Sequence, residues 1–137
     1  MRSLLTIFLF LSAGFCANAA EINVYSHRHY DSDAVLFEKF SKETGIKVNV
    51  IKGSADQLIQ RLISEGKNSP ADVLLTVDAG RLHRAKEAGI LQPVKSKKLQ
   101  QNVPASMSDP EGHWYGMTVR ARVLVYSKER VKAGELT

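Results

Sequence analysis

Apolar and polar positions along the chain change period several times, and each change predicts an element. Over residues 22–26 they alternate among β-formers, which predicts a strand. Asp31, Ser32 and Asp33 follow as candidate helix caps. The helix behind them turns Leu36, Phe37 and Phe40 inward and stops at Gly45, a residue suited to the left-handed position after a helix. Residues 47–51 predict a second strand, with Val48 and Val50 on one face. Ser54-Ala55-Asp56-Gln57 is a capping box, and Leu58, Ile59, Leu62 and Ile63 behind it form the apolar stripe of a helix that Gly66 ends. Asn68-Ser69-Pro70 is a turn. Residues 71–76 then contain a continuous apolar run, as in a strand covered on both faces. Asp78 caps a third helix over 79–88, stopped by Gly89.

Strands alternating with helices predict an α/β fold with a parallel sheet, in which ligands sit beyond the carboxyl ends of the strands. Those ends are 26–31, 53–54 and 76–80. Regularity weakens after Gly89. Residues 92–101 are basic and polar, with room for a short helix, and 119–126 alternate as a strand with Arg120 and Arg122 on one face.

The start of the chain has a different pattern. Met1-Arg2-Ser3 precedes an apolar run over 4–15, and Ala17-Asn18-Ala19 places small residues before a cut after Ala19. This is the anatomy of a secretory signal peptide, and the run falls short of the about 20 residues that span a bilayer. A bulky Phe15 before Cys16 disfavours a lipoprotein cut site.

Composition narrows the chemistry. Of 137 residues, 44% are apolar, too many for a disordered tail. One cysteine closes no intramolecular disulfide and holds no cluster. The net charge of +5 is dilute; Lys95, Lys97 and Lys98 are its main cluster and lack the interleaved aromatics of a nucleic-acid binder, so they read as a solvated face. No G-x-S-x-G elbow, P-loop, H-E-x-x-H or dinucleotide fingerprint is present, and Asp72 and Asp78 make no convincing acid–base pair.

The densest polar stretch is Ser26-His27-Arg28-His29-Tyr30-Asp31. A solvated loop is the plain reading. His27 and His29 would suit zinc if His83 or His113 joined them, as in an exported zinc-dependent hydrolase. A phenol beside an imidazole and carboxylates suits a harder cation. A trivalent ion favours oxygen donors and displaces the proton of a Tyr phenol, whose reference pKa is about 10. Arg120 and Arg122 either face solvent or offer guanidinium forks to a carboxylate, phosphate or carbonate.

Residues 23–31, with their Ser-x-Arg-His-Tyr motif, resemble the opening of the periplasmic ferric-ion-binding proteins of bacterial ABC importers. The likeness continues through Phe40, Glu43 to Val48, Gly53 to Leu58, Ser69 to Val73, Thr76 to Leu82 and Arg120 to Tyr126. It implies a two-lobed periplasmic-binding-protein fold that closes over Fe3+, with no catalysis. It puts His29 and Tyr30 on metal-ligand positions of the first lobe and Arg120 on the place of a synergistic anion such as carbonate. Val77 stands where another branch of the family has a carboxylate, which favours the tyrosine-rich ligand set. The implied setting is a periplasmic monomer that hands iron to an inner-membrane permease and binds no nucleic acid. A solute-binding protein for an anion or an organic cation is the neighbouring alternative. Family members are about twice this length or longer, a size natural for two lobes. The expected layout is therefore a leader over 1–19, most of a first lobe over 20–118, and a hinge strand with the start of a second lobe over 119–137. This is the layout of an amino-terminal fragment.

Overall fold

The computed structural model describes residues 20–121 and 123–135. The expected leader lies outside the described residues, as does Arg122. No helix among the described residues is long and apolar enough to cross a membrane. The chain divides into two compact units that meet in sequence at Leu75 and Thr76.

The first unit is a parallel sheet of β1 (Glu21–Ser26), β2 (Lys47–Lys52) and β3 (Val73–Leu75), joined by α1 (Asp31–Thr44) and α2 (Ala55–Glu65). The strand order is β2-β1-β3, so the chain runs from the central strand out to β2 and then back past β1 to β3. Right-handed crossovers then place the two helices on opposite faces. Ser26 stands opposite both Lys52 and Leu75, which aligns the three carboxyl ends. The ladder continues one residue further. His27 donates its backbone N–H to Leu75 O at 2.9 Å, and Gly53 donates to Ser26 O at 3.2 Å.

Local chemistry accounts for the boundaries. Gly45 takes φ 72°, which closes α1 with its N–H on Ser41 O. Ser54 Oγ accepts from Gln57 N at 3.3 Å while Gln57 Oε1 accepts from Ser54 N at 3.1 Å, which completes the expected capping box. A Cβ at Gly53 would lie 3.1 Å from Leu58 Cδ2, so glycine lets α2 start close against the strand end.

Val24, Tyr25, Ala55, Leu58, Ile59 and Leu62 form the buried core of this unit. Tyr25 carries a polar atom into that core, and the atom is satisfied. Its hydroxyl donates to both Glu65 oxygens at 2.9 and 3.0 Å, while Ser69 Oγ and Arg61 Nε donate to the same carboxylate at 2.6 Å each. Burial, and then the bond to Glu65, push the Tyr25 phenol above its ordinary value. The Ser69 hydroxyl and then Arg61 hold the Glu65 carboxyl below its own. Asp72 secures the approach to β3. Its carboxylate accepts from Asn23 N at 2.8 Å, and its own N–H donates to Asn23 O at 2.9 Å.

Two expectations for this unit need correction. Phe37 is half-buried, but Leu36 and Phe40 are 61% and 37% exposed. Successive helical residues differ by about 100°, so a helix resting on a narrow sheet turns one stripe inward, and Leu36 and Phe40 flank it. β3 is shorter than 71–76, and Val73 is 40% exposed. It pairs only with β1 among the described residues, which leaves its far edge uncovered.

In the second unit, α3 (Ala79–Glu87) starts at Asp78, whose Oδ1 accepts from Arg81 N at 2.9 Å, and ends ahead of Gly89. A shorter α4 (Lys97–Asn102) is capped by Ser96. Lys95, Lys97 and Lys98 are exposed, as a solvated face requires. A turn closed by Gly112 N on Asp109 O brings Ser108 and Tyr115 into an antiparallel bridge. The strand expected over 119–126 does not form among the described residues; Val119, Leu124 and Val125 are 81%, 91% and 89% exposed. An extended segment becomes a strand when a neighbour supplies its ladder, and none of the described residues does so here.

Leu58→Ala is expected to destabilise the protein by about 3 kcal/mol, the usual cost of emptying a leucine site in a core. Ser54→Ala is expected to cost about 1 kcal/mol through the lost cap. Urea denaturation followed by circular dichroism measures both.

Candidate functional site

The polar stretch singled out in the sequence leaves the carboxyl end of the central strand, β1, and runs directly into α1. Its first anchor is Ser26, 2% exposed, whose Oγ accepts from Arg28 N at 3.1 Å. The second is a forked ion pair. Arg28 Nε reaches Asp33 Oδ2 at 2.8 Å and Nη2 reaches Oδ1 at 2.9 Å. Side-chain exposure is 16% for Arg28 and 12% for Asp33, so the pair is largely removed from water.

This pair spans the loop. Between its members, Tyr30 O accepts from Asp33 N at 3.0 Å, and Tyr30 occupies the cap position of α1 with extended backbone and no side-chain capping bond. Asp31, Ser32 and Asp33 were the expected caps. Instead, Asp31 and Asp33 lie in the first turn, where the positive end of the helix dipole favours them, and Asp33 spends its oxygens on Arg28. The Arg28 guanidinium beside Asp33 holds that carboxyl below the usual carboxylate range, and the same hydrogen bonds raise Arg28.

His29 and Tyr30 point outward from this fixed base. Both are exposed, Tyr30 by 49%. The Arg28 guanidinium carbon lies 5.0 Å from the Tyr30 ring centre, within cation–π range. The His27 and His29 rings meet edge to face at 5.4 Å and 82°, and His27 Nδ1 is buried without a hydrogen-bond partner. His29 and Tyr30 thus present an imidazole and a phenol on adjacent, exposed residues at this strand end.

The other sequence candidates belong elsewhere. Arg120 lies exposed in the irregular segment of the second unit. His83 is exposed on α3. Asp72 and Asp78 are both committed to backbone, the first at β1 and the second at α3.

His113 belongs to a cluster the sequence reading missed. Its Nδ1 lies 3.0 Å from Asp109 Oδ2, and its backbone N–H donates to the same oxygen at 3.1 Å. Lys86 Nζ lies 2.8 Å from Asp109 and 3.0 Å from Glu111. Asp109, Glu111 and His113 hold donor atoms within 4.8 Å of one another, a spacing a metal would accept. Lys86 already supplies the positive charge there, and with His113 it holds Asp109 far below the ordinary carboxylate range. Asp-x-Glu-x-His across a turn was the available signal.

The depressed Asp33 carboxyl sets a sign for stability against pH. Its contribution is fully present above the unfolded value of about 3.9 and is lost as pH falls through the lower folded value. Asp33→Asn is expected to cost about 1–3 kcal/mol at pH 7, by leaving Arg28 without its charged partner. The variant should also flatten the acid limb of the urea midpoint plotted against pH.

Residues 28–137 match the family described as bacterial extracellular solute-binding protein. Iron uptake protein A1 of Synechocystis sp. is 59% identical over 117 residues, covering 85% of this chain and 32% of that protein. A Trichodesmium protein (IdiA, FutA), solved in complex with iron and citrate, matches with TM-score 0.79 at 55% identity, over 86% of this chain and 37% of that one. A ferric binding protein from Campylobacter jejuni matches with TM-score 0.68 at 46% identity, over 69% of this chain and 30% of that one. The chain thus spans about a third of the length of the relatives it matches. Its parallel α/β sheet is the one expected of part of one lobe in a two-lobed binding protein. With most of its length inside the matched stretch, this chain belongs to the bacterial extracellular solute-binding proteins.

Proposed function

We propose that the chain serves the extracytoplasmic capture of ferric iron for an ABC-type importer, with His29 and Tyr30 as metal ligands. The observation that carries this reading is the pair itself. An imidazole and a phenol stand adjacent and exposed at the carboxyl end of the central strand, on a loop fixed from below by Arg28 and Asp33. The chain's likeness to an iron uptake protein, to a ferric binding protein and to a protein solved with iron and citrate supports iron as the solute.

The chemistry follows from the donors. Fe3+ is hard and highly charged, so it prefers anionic oxygen and displaces the phenol proton on binding. Tyr30 then supplies the charge-neutralising phenolate and His29 a neutral nitrogen. Two protein donors leave most of the coordination sphere to others, and Arg120 offers a guanidinium fork for a carbonate or a carboxylate that would fill part of it. Residues 20–118 are assigned to the first lobe, with 119–137 leading into the second. The cargo passes to an inner-membrane permease, the protein acts in the periplasm as a monomer, and no bond of the cargo is made or broken by catalysis.

Titration of the protein with ferric nitrilotriacetate is expected to produce a visible phenolate-to-iron charge-transfer band. Tyr30→Phe should remove the contribution of this phenolate and weaken binding about tenfold or more, the change that about 1.4 kcal/mol of lost ligation produces. A band and an affinity that are the same with and without the Tyr30 hydroxyl would overturn the assignment. Arg120→Ala is expected to abolish the gain in ferric affinity that added carbonate or citrate provides, read in the same titration.

A further inference from the structure

Arg28 carries no lone pair for a metal and is not among the donors assigned above, yet its side chain is held by a forked ion pair and largely shielded from water. Its backbone N–H is held by Ser26 Oγ at 3.1 Å. Its Nε and Nη2 bind both oxygens of Asp33 at 2.8 and 2.9 Å, which fixes the plane of the guanidinium as well as its place. Ser26 ends the central strand and Asp33 sits in the first turn of α1, so Arg28 is referred to two rigid elements at once. The Tyr30 ring, 49% exposed and without a hydrogen bond from its side chain to the helix it caps, lies 5.0 Å from that guanidinium.

A half-exposed phenol free to turn about its side-chain torsions must be ordered each time it takes up a metal, at an entropic cost. A guanidinium held against one face of the ring removes much of that freedom before the metal arrives. We propose that Arg28 is the positioning residue for Tyr30, pre-setting the phenol for the metal, and that Asp33 is the side chain that holds Arg28 in the required plane. The inference rests on the reading of Tyr30 as an iron ligand. Lysine at this position would keep the charge and lose the planar fork, so it would not serve in the same way.

The test is a ferric nitrilotriacetate titration of the full chain carrying Arg28→Met, Arg28→Lys or Asp33→Asn, alone and with Tyr30→Phe. Affinity and the position and intensity of the charge-transfer band are both recorded. Tyr25→Phe serves as the stability control, because it removes the bond to Glu65 in the same unit without touching the loop. Arg28→Met is expected to weaken ferric binding about tenfold and to diminish or shift the band. Arg28→Lys and Asp33→Asn should move both readouts in the same direction by a smaller factor, and they retain the measurement if the methionine variant does not fold. Tyr25→Phe should lower Tm and leave the band where it is. In the Tyr30→Phe background, Arg28→Met should add nothing further.

The inference is overturned if Arg28→Met leaves affinity and band at their original values, or if it weakens binding as much with phenylalanine at position 30 as with tyrosine. A band untouched by Tyr30→Phe alone overturns the ligand reading itself. That outcome is told apart from the others because Arg28 is intact in it.

Discussion

The forked ion pair between Arg28 and Asp33 joins the last turn of chain after β1 to the first turn of α1, and the geometry of the loop between them depends on it. Without such a brace, a short connection out of a strand would be positioned only by its two ends. With it, the residues between the partners have their backbone path set from both sides, and their side chains are left free to face outward. The pair is itself mostly shielded from water, which gives its hydrogen bonds their strength and makes an unmatched partner costly. Anionic Asp33 also lies where the helix dipole favours it, so one carboxylate satisfies the guanidinium and the start of the helix together.

Beneath the loop, the sheet does the coarse positioning. A parallel three-strand order with the first strand in the middle brings the loop after β1 between the carboxyl ends of β2 and β3. Open α/β sheets place their ligands beyond the carboxyl ends of their strands. The ladders to β2 and β3 fix the register of β1 under the loop, Asp72 is clipped to Asn23, and Tyr25 ties β1 to α2 through Glu65. A shift of one residue would move every side chain of β1 to the opposite face.

Two polar clusters among the described residues show how similar residues reach opposite ends. Asp109 is paired both with His113 in the same turn and with Lys86 of α3, so these ligating atoms are already consumed. At the loop after β1, Arg28 and Asp33 consume one another, and His29 and Tyr30 are left over. Availability of donors to a ligand, more than the presence of ligating residue types, separates the two places.

Much of this was legible in the amino-acid order, because strands, helices and caps are decided by neighbours within four residues. The Ser54 capping box, the Asp78 cap and the stops at Gly45 and Gly66 rest on such short-range rules. The same local pattern marked residues 26–31 as the polar loop at a strand end. Which of those residues pair was not legible. Arg28 choosing Asp33, Lys86 choosing Asp109 and Tyr25 choosing Glu65 are decided by backbone paths that bring distant side chains within hydrogen-bond reach. Burial likewise escaped the pattern: alternation over 119–126 and the apolar face of α1 predict a partner surface without supplying one. The sequence by itself determined the order of strands and helices in the first unit, their caps and the residue types of the loop. Only the tertiary structure decided which polar side chains are spent on the fold and which stay exposed, because hydrogen bonds and burial depend on distance in space, and local propensity reaches only along the chain.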